Sequence, residues 1–260
     1  MNNNQNGFIP GLEGVVAAQT RLSCVDGQRG KLIIGGYPLA ELAANATFEE
    51  SAFLLWNGRL PTHPELTTFQ NELAQLRPLP HATLDLLQST AQQQVPPMDA
   101  LRMAAGTLNL NIDKSKPQQT AKAITARFPT IVTTYWRLLE GKTAISPNPT
   151  LSHAANYLYM LTGTPPSDAQ TRGLETYLNT VIDHGLNAST FAARVIIATQ
   201  SDMVSAIVGA VGALKGPLHG GAPGPALDMV FEIGSSDRVD QYLHEKLNQG
   251  ERLMGFGHRV

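Results

Sequence analysis

Apolar residues recur at helical spacing along most of this chain, and proline or glycine repeatedly interrupts the pattern. Seventeen prolines and 23 glycines are spread over 260 residues, and a proline inside a helix removes a donor and crowds the preceding turn. The chain therefore has to fold as many short helices on proline and glycine joints. Thr47-Phe48-Glu49-Glu50 reads as a capping box that opens a helix, with an apolar face of Phe48, Ala52, Leu55 and Trp56 before Gly58 ends it. Further helices are expected at Glu65–Leu76, Ala82–Thr90 and Met98–Leu110, with joints at Pro61, Pro64, Pro78, Pro80 and Pro96-Pro97. A longer one should run from Gln118 to Leu139, kinked or restarted near Pro129, followed by a surface loop from Gly141 to Thr150. The second half continues with Leu151–Leu161, Asp168–Ile182, Ala188–Thr199, Met203–Leu214, Pro225–Ile233 and Arg238–Gln249. Only Leu22–Val25 and Lys31–Ile34 read as strands, a small hairpin in which Asp26-Gly27 supplies the positive φ of a tight turn. The expected fold class is all-α.

Composition narrows the function classes. A formal net charge of −2 argues against a nucleic-acid surface, which needs a basic excess. No apolar run approaches the roughly 18 residues of a membrane span. Residues 1–10 read as an uncharged polar arm without the basic and apolar regions of a signal peptide. Cys24 is the single cysteine, which excludes an internal disulfide and a multi-cysteine metal site and suits a reducing cytoplasm. No HExxH pattern is present, so no metal is expected.

Seven histidines remain as candidates for chemistry. His63, His81, His153 and His244 lie beside proline or on polar helix faces and read as surface or capping residues. The other three lie in glycine-rich or small-residue settings. His184 sits in Asp183-His184-Gly185-Leu186-Asn187-Ala188-Ser189-Thr190, His219 in Gly216-Pro217-Leu218-His219-Gly220-Gly221, and His258 in Gly255-Phe256-Gly257-His258-Arg259-Val260. Lys215-Gly216-Pro217 must break the preceding apolar helix, which leaves His219 at a helix junction, and Gly220 and Gly221 would let a ligand lie against the backbone. Neither phosphate-loop pattern, GxxxxGK[ST] or GxGxxG, is met. On the residues alone, His219 and His258 are either catalytic or packing features. Asn187 and Ser189 could equally cap the helix that starts near Ala188, a role compatible with a place in a site.

These three segments, together with Gly11-Leu12-Glu13-Gly14-Val15-Val16-Ala17, resemble the citrate synthase family in its bacterial short-chain form. The resemblance covers the whole chain in order, including the helix and turn from Phe48 to Pro61. It implies a large helical domain over residues 1–221 and the start of a small helical domain over 222–260. It implies condensation of acetyl-CoA with oxaloacetate to citrate and CoA, with acetyl-CoA as co-substrate and no cofactor. His219 matches the histidine that stabilises the enol or enolate of the thioester, and His258 the one that polarises the oxaloacetate ketone and protonates the alkoxide. His184 matches an oxaloacetate-binding histidine, with Asn187 beside it, and Ser189 would orient His219. Leu253, Gly255 and Phe256 fall on the family's CoA-binding segment.

Pro223 departs from the asparagine often found there, which puts that contact in question. The family's catalytic aspartate lies beyond the Gly-Phe-Gly-His loop, so the expectation is that these 260 residues alone form no citrate above background. The family also implies a homodimer or higher oligomer, with Met98–Leu110 and Met203–Leu214 as candidate faces. A 2-methylcitrate synthase using propionyl-CoA shares the motifs, and a non-catalytic assembly or regulatory protein on the same fold is the alternative from another class.

Overall fold

The computed structural model describes residues 16–111, 113, 115–221 and 223–253. The arm expected at residues 1–10 and the segment holding Gly255, Phe256 and His258 lie outside the described residues. The architecture is helical, with one small antiparallel sheet near the start of the chain.

That sheet has strand order β1 (Ser23–Asp26), β2 (Lys31–Ile34) and β3 (Tyr37–Pro38). The register pairs Asp26 with Lys31 and Ile34 with Tyr37. Two expectations need correction here. The positive φ of the first turn falls on Gly30, at 61°, while the Asp26 carboxylate accepts the Arg29 N–H at 3.0 Å. A third strand also exists, too short to show alternation. It forms because Gly35 and Gly36, at φ 56° and 94°, fold the chain back on β2. Gly35 has a second constraint, since a Cβ there would stand 2.7 Å from Cγ of Leu54, a core residue with no exposure. Gly35→Ala should lower stability by about 2–4 kcal/mol through left-handed strain and overpacking. Gly36→Ala, where a Cβ meets nothing within 4 Å, should cost only the backbone share. Denaturant unfolding of both variants checks the contrast, and equal losses would refute it.

Twelve α-helices follow among the described residues: α1 (Leu39–Asn45), α2 (Phe48–Asn57), α3 (His63–Leu76), α4 (His81–Gln92), α5 (Pro97–Thr107) and α6 (Pro117–Leu139), then α7 (His153–Thr162), α8 (Asp168–Thr180), α9 (Ala188–Ala198), α10 (Met203–Leu214), α11 (Pro223–Ile233) and α12 (Val239–Asn248). Local chemistry explains most starts. Thr47 and Glu50 form the expected capping box of α2, and Ser167 and Gln170 form one for α8. Side chains of Ser152, Asn187 and Asp202 cap α7, α9 and α10. Pro64 is not a joint: it lies in the first turn of α3, where a missing N–H costs nothing.

Pro129 does not break α6 either. The helix runs 23 residues through it, lodged among α3, α4, α5, α7 and α10. Packing on several sides outweighs one lost hydrogen bond. The apolar face of α2 also differs from the expected one. Leu54 is fully buried with Ala52, whereas Trp56 is 38% exposed. The extended Leu108–Asn111 end of α5 is a 3₁₀ turn.

One core cluster joins α4, α5, α6 and α10 through Leu87, Ala100, Ala104, Leu108, Ile131 and Val204. A second seats the sheet on α1 and α2 through Ile34, Leu42 and Leu54. Helix α10 lies between α9 and α5, and its C-terminal end carries the chain to His219. Among residues 223–253 only Ile233 is buried, so α11 and α12 add little to the core of the helical body. No helix among the described residues is long and apolar enough to cross a membrane.

Candidate active site

The turn after α10 presents His219. Its backbone wraps over the helix end: the Gly220 N–H donates to the Leu214 carbonyl at 2.8 Å and the Gly221 N–H to Gly216 at 3.2 Å. A Cβ on Gly220 would stand 2.5 Å from that same carbonyl oxygen. At Gly220 the requirement for glycine is thus met by the turn itself, and not by a ligand approaching the backbone as the sequence suggested.

The α9 N-terminus supplies the partners of His219. Asn187 caps the helix, with its Oδ1 accepting the Thr190 N–H at 2.9 Å. The Ser189 hydroxyl donates to the same Oδ1 at 2.8 Å, and Ser189 Oγ lies 2.9 Å from His219 Nε2. Residues from two helix ends, 30 positions apart, thereby form one chain of polar contacts. Asn187 performs the capping role and belongs to this cluster at once. All three side chains are half-buried, and among the described residues His219 Nδ1 makes no hydrogen bond. An imidazole held this way can present a hydrogen-bond donor to a carbonyl oxygen at which charge develops.

His184 stands on the loop between α8 and α9, exposed, three residues before the cap. That loop turns sharply because the Gly185 N–H donates to Asp183 Oδ1 at 3.1 Å, and Gly185 sits at φ 90°. Among the described residues the His184 ring makes no hydrogen bond, and the structure does not join it to the Ser189–His219 pair. Leu253 is half-buried just beyond α12. His258, Gly255 and Phe256 lie outside the described residues. Two clefts, one of about 600 Å³ beside Glu72 and Lys122 and one of about 370 Å³ beside Met98 and Trp136, involve none of these residues. Among the described residues no three His, Cys, Asp or Glu side chains are grouped to hold a metal ion.

One histidine was misread from the sequence. His153, expected at the surface or in a cap, is only 5% exposed and stacks on Phe48 with ring centroids 4.4 Å apart. Its backbone N–H donates to Glu49 Oε1 at 2.8 Å, and Arg77, 1% exposed, lies close enough to interact with both groups. Burial, reinforced by Arg77, pushes the imidazole pKa down to about 3. Burial pushes the Glu49 carboxyl up, against the hydrogen bond from His153 and the charge of Arg77. The partners come from α2, α7 and the end of α3, so no local sequence signal marks the cluster.

Residues 11–260 match the family model described as citrate synthase, C-terminal domain. The chain belongs to the citrate synthase family. A citrate synthase of Haloferax volcanii is 40% identical, over 96% of this chain and 69% of its own length. A 2-methylcitrate synthase of Mycobacterium tuberculosis is 41% identical, over 96% of this chain and 64% of its own. A solved ternary complex of carboxymethyl coenzyme A and oxaloacetate with the citrate synthase of Thermoplasma acidophilum superposes with a TM-score of 0.85 at 30% identity. That alignment covers 96% of this chain and 68% of that one. This chain and that citrate synthase therefore share a common helical fold.

Proposed function

We propose that this chain forms the acyl-condensing site of a citrate synthase, which joins acetyl-CoA, oxaloacetate and water into citrate and CoA, the entry step of the tricarboxylic acid cycle. The observation that carries the reading is the Asn187–Ser189–His219 contact chain at the meeting of α9 and α10. His219 donates a hydrogen bond to the thioester oxygen while a carboxylate base removes the methyl proton, so negative charge collects on an oxygen that already has a donor. The enol carbon then attacks the ketone carbon of oxaloacetate. His258 protonates the alkoxide, and water cleaves the thioester to release CoA. His184 and Asn187 bind oxaloacetate, and Leu253, Gly255 and Phe256 bind CoA. Acid–base groups suffice for these steps, so acetyl-CoA serves as a co-substrate with no further cofactor.

The exposed apolar side chains Phe191 and Val195 on α9 support a homodimer that covers this face. The candidate helices α5 and α10 instead place Ala100, Ala104, Val204 and Val211 inside the monomer core. The exposed free thiol of Cys24 suits a reducing cytoplasm.

The 41% identity to a 2-methylcitrate synthase supports propionyl-CoA as a second acyl donor. Specificity for one methylene is worth only about 1–3 kcal/mol, so pocket shape decides it. The test uses a purified protein in which this chain is joined to a segment carrying the family's catalytic aspartate, without which no citrate is expected. Thiol release should require both oxaloacetate and acetyl-CoA, with citrate as the product. A faster reaction with propionyl-CoA would move the assignment to 2-methylcitrate synthase, and no condensation with either donor would overturn it.

A further inference from the structure

Helix α1 ends without a donor of its own. Its last turn holds no basic residue, and Ala46, which closes it, is extended at φ −84° and ψ 148°. The carbonyls left open there are met from α8. Arg172 donates from Nη1 to the Ala46 oxygen at 2.8 Å and from Nη2 to that of Ala43. Asn179 Nδ2 donates to the same Ala46 oxygen, also at 2.8 Å. Arg172, Glu175 and Asn179 share one face of α8, with Glu175 Oε2 3.3 Å from Arg172 Nη1.

Arg172 by itself would close the end of α1, because it already serves both carbonyls. Asn179 adds a second donor to an occupied oxygen, and does so at a cost. It is fully buried, and its Oδ1 has no hydrogen-bond partner among the described residues. A leucine of similar outline would avoid that desolvation. A directional bond supplies what an apolar contact does not, which is one fixed register of α8 against α1. The chain after Asn179 runs directly into the His184 loop. Ile182 packs on the cluster of Ile34, Leu42 and Leu54, and a Cβ on Gly185 would lie 3.9 Å from Cγ2 of Val25 in β1. His184 itself is exposed, so its place is set by the residues on either side of it.

We infer that Asn179 is a positioning residue that holds His184 in place by fixing the end of α8 against α1. The small sheet and α1 thereby act as the wall against which the His184 loop is set. The functional meaning rests on the proposed function, in which His184 binds oxaloacetate. An exposed ring on a loop already ordered meets its ligand without the entropy cost of ordering that loop on binding.

Backbone amide relaxation of the chain reads the positioning directly. Asn179→Leu should bring the order parameters of the His184 and Gly185 amides from about 0.85 to below about 0.6. Those of Thr190 in α9 and Ile131 in α6 should hold. Unchanged values at His184 and Gly185 would overturn the inference, as would a fall shared by Ile131, which marks general loosening. Asn179→Ala removes the same donor and demands no added space, so it takes over should the leucine variant fail to fold.

Oxaloacetate affinity, measured by calorimetry, is the second readout. Asn179→Leu should weaken binding by about 2–10-fold, the range of one lost net hydrogen bond. It should add nothing in a protein that already carries His184→Ala, and additive losses would refute action through His184. Failure of the unsubstituted chain to bind oxaloacetate would count against the proposed site, and the amide relaxation would still decide whether Asn179 holds the loop.

Discussion

In a protein that joins this chain to the family's catalytic aspartate, replacing His219 with glutamine should lower kcat for citrate formation by about 10²–10⁴-fold, the range spanned by loss of one positioned acid–base or oxyanion-stabilising group. The loss corresponds to about 3–5 kcal/mol of transition-state stabilisation. It falls on kcat because the hydrogen bond strengthens only as charge moves onto the thioester oxygen, so KM for acetyl-CoA should change little. Glutamine fills similar space and retains an amide that can reach Ser189, which separates the chemistry from the packing. His219 lies on a turn outside the core clusters, so the thermal midpoint should hold. Steady-state thiol release by the purified variant makes the measurement. A kcat within a fewfold of the unsubstituted protein would remove His219 from the mechanism.

The second large effect concerns acid. An unfolded histidine protonates near pH 6.5, whereas His153 in the folded chain resists until about 3. Between these values the unfolded state binds a proton that the folded state does not, so stability falls as pH falls. The slope from this one residue is about 1.4 kcal/mol per pH unit once the unfolded imidazole is fully protonated. Glu49 acts in the opposite sense: its raised pKa gives stability below the unfolded value near 4.5, lost as pH rises through the folded value. A difference measurement isolates the histidine. His153→Phe keeps the stack on Phe48 and the backbone hydrogen bond to Glu49, and removes only the titrating ring. Denaturant unfolding from pH 6.5 to 4.5 should give a shallower loss in the variant, by roughly that slope. Parallel curves for the two proteins would show that His153 does not hold its neutral form in the fold.

Much of the helical plan is legible locally. The Thr47–Glu50 box, the polar caps and the prolines at helix starts each act within one turn of chain, and helix α10 keeps the expected bounds. Errors arise where packing overrides that chemistry. Pro129 should break α6 by its own properties, yet the surrounding helices carry α6 through it. Leu54 replaces Leu55 as the buried residue of α2 because the sheet, and Gly35 in particular, presses on that side of the helix.

The same division holds for the site. His184, Asn187, Ser189 and His219 stand out in the sequence because each lies beside glycine or at a helix boundary, and the order of their motifs marks the family. Sequence alone therefore determined the all-α class, the family and the residues worth testing, since helix periods, caps and motifs are short-range patterns. Only the tertiary structure decided that Ser189, in contact with Asn187, also meets His219. It alone revealed His153 in contact with Glu49, 104 residues away. Such contacts depend on how helices pack, and packing is settled by the burial of whole faces at once. No local pattern contains that information.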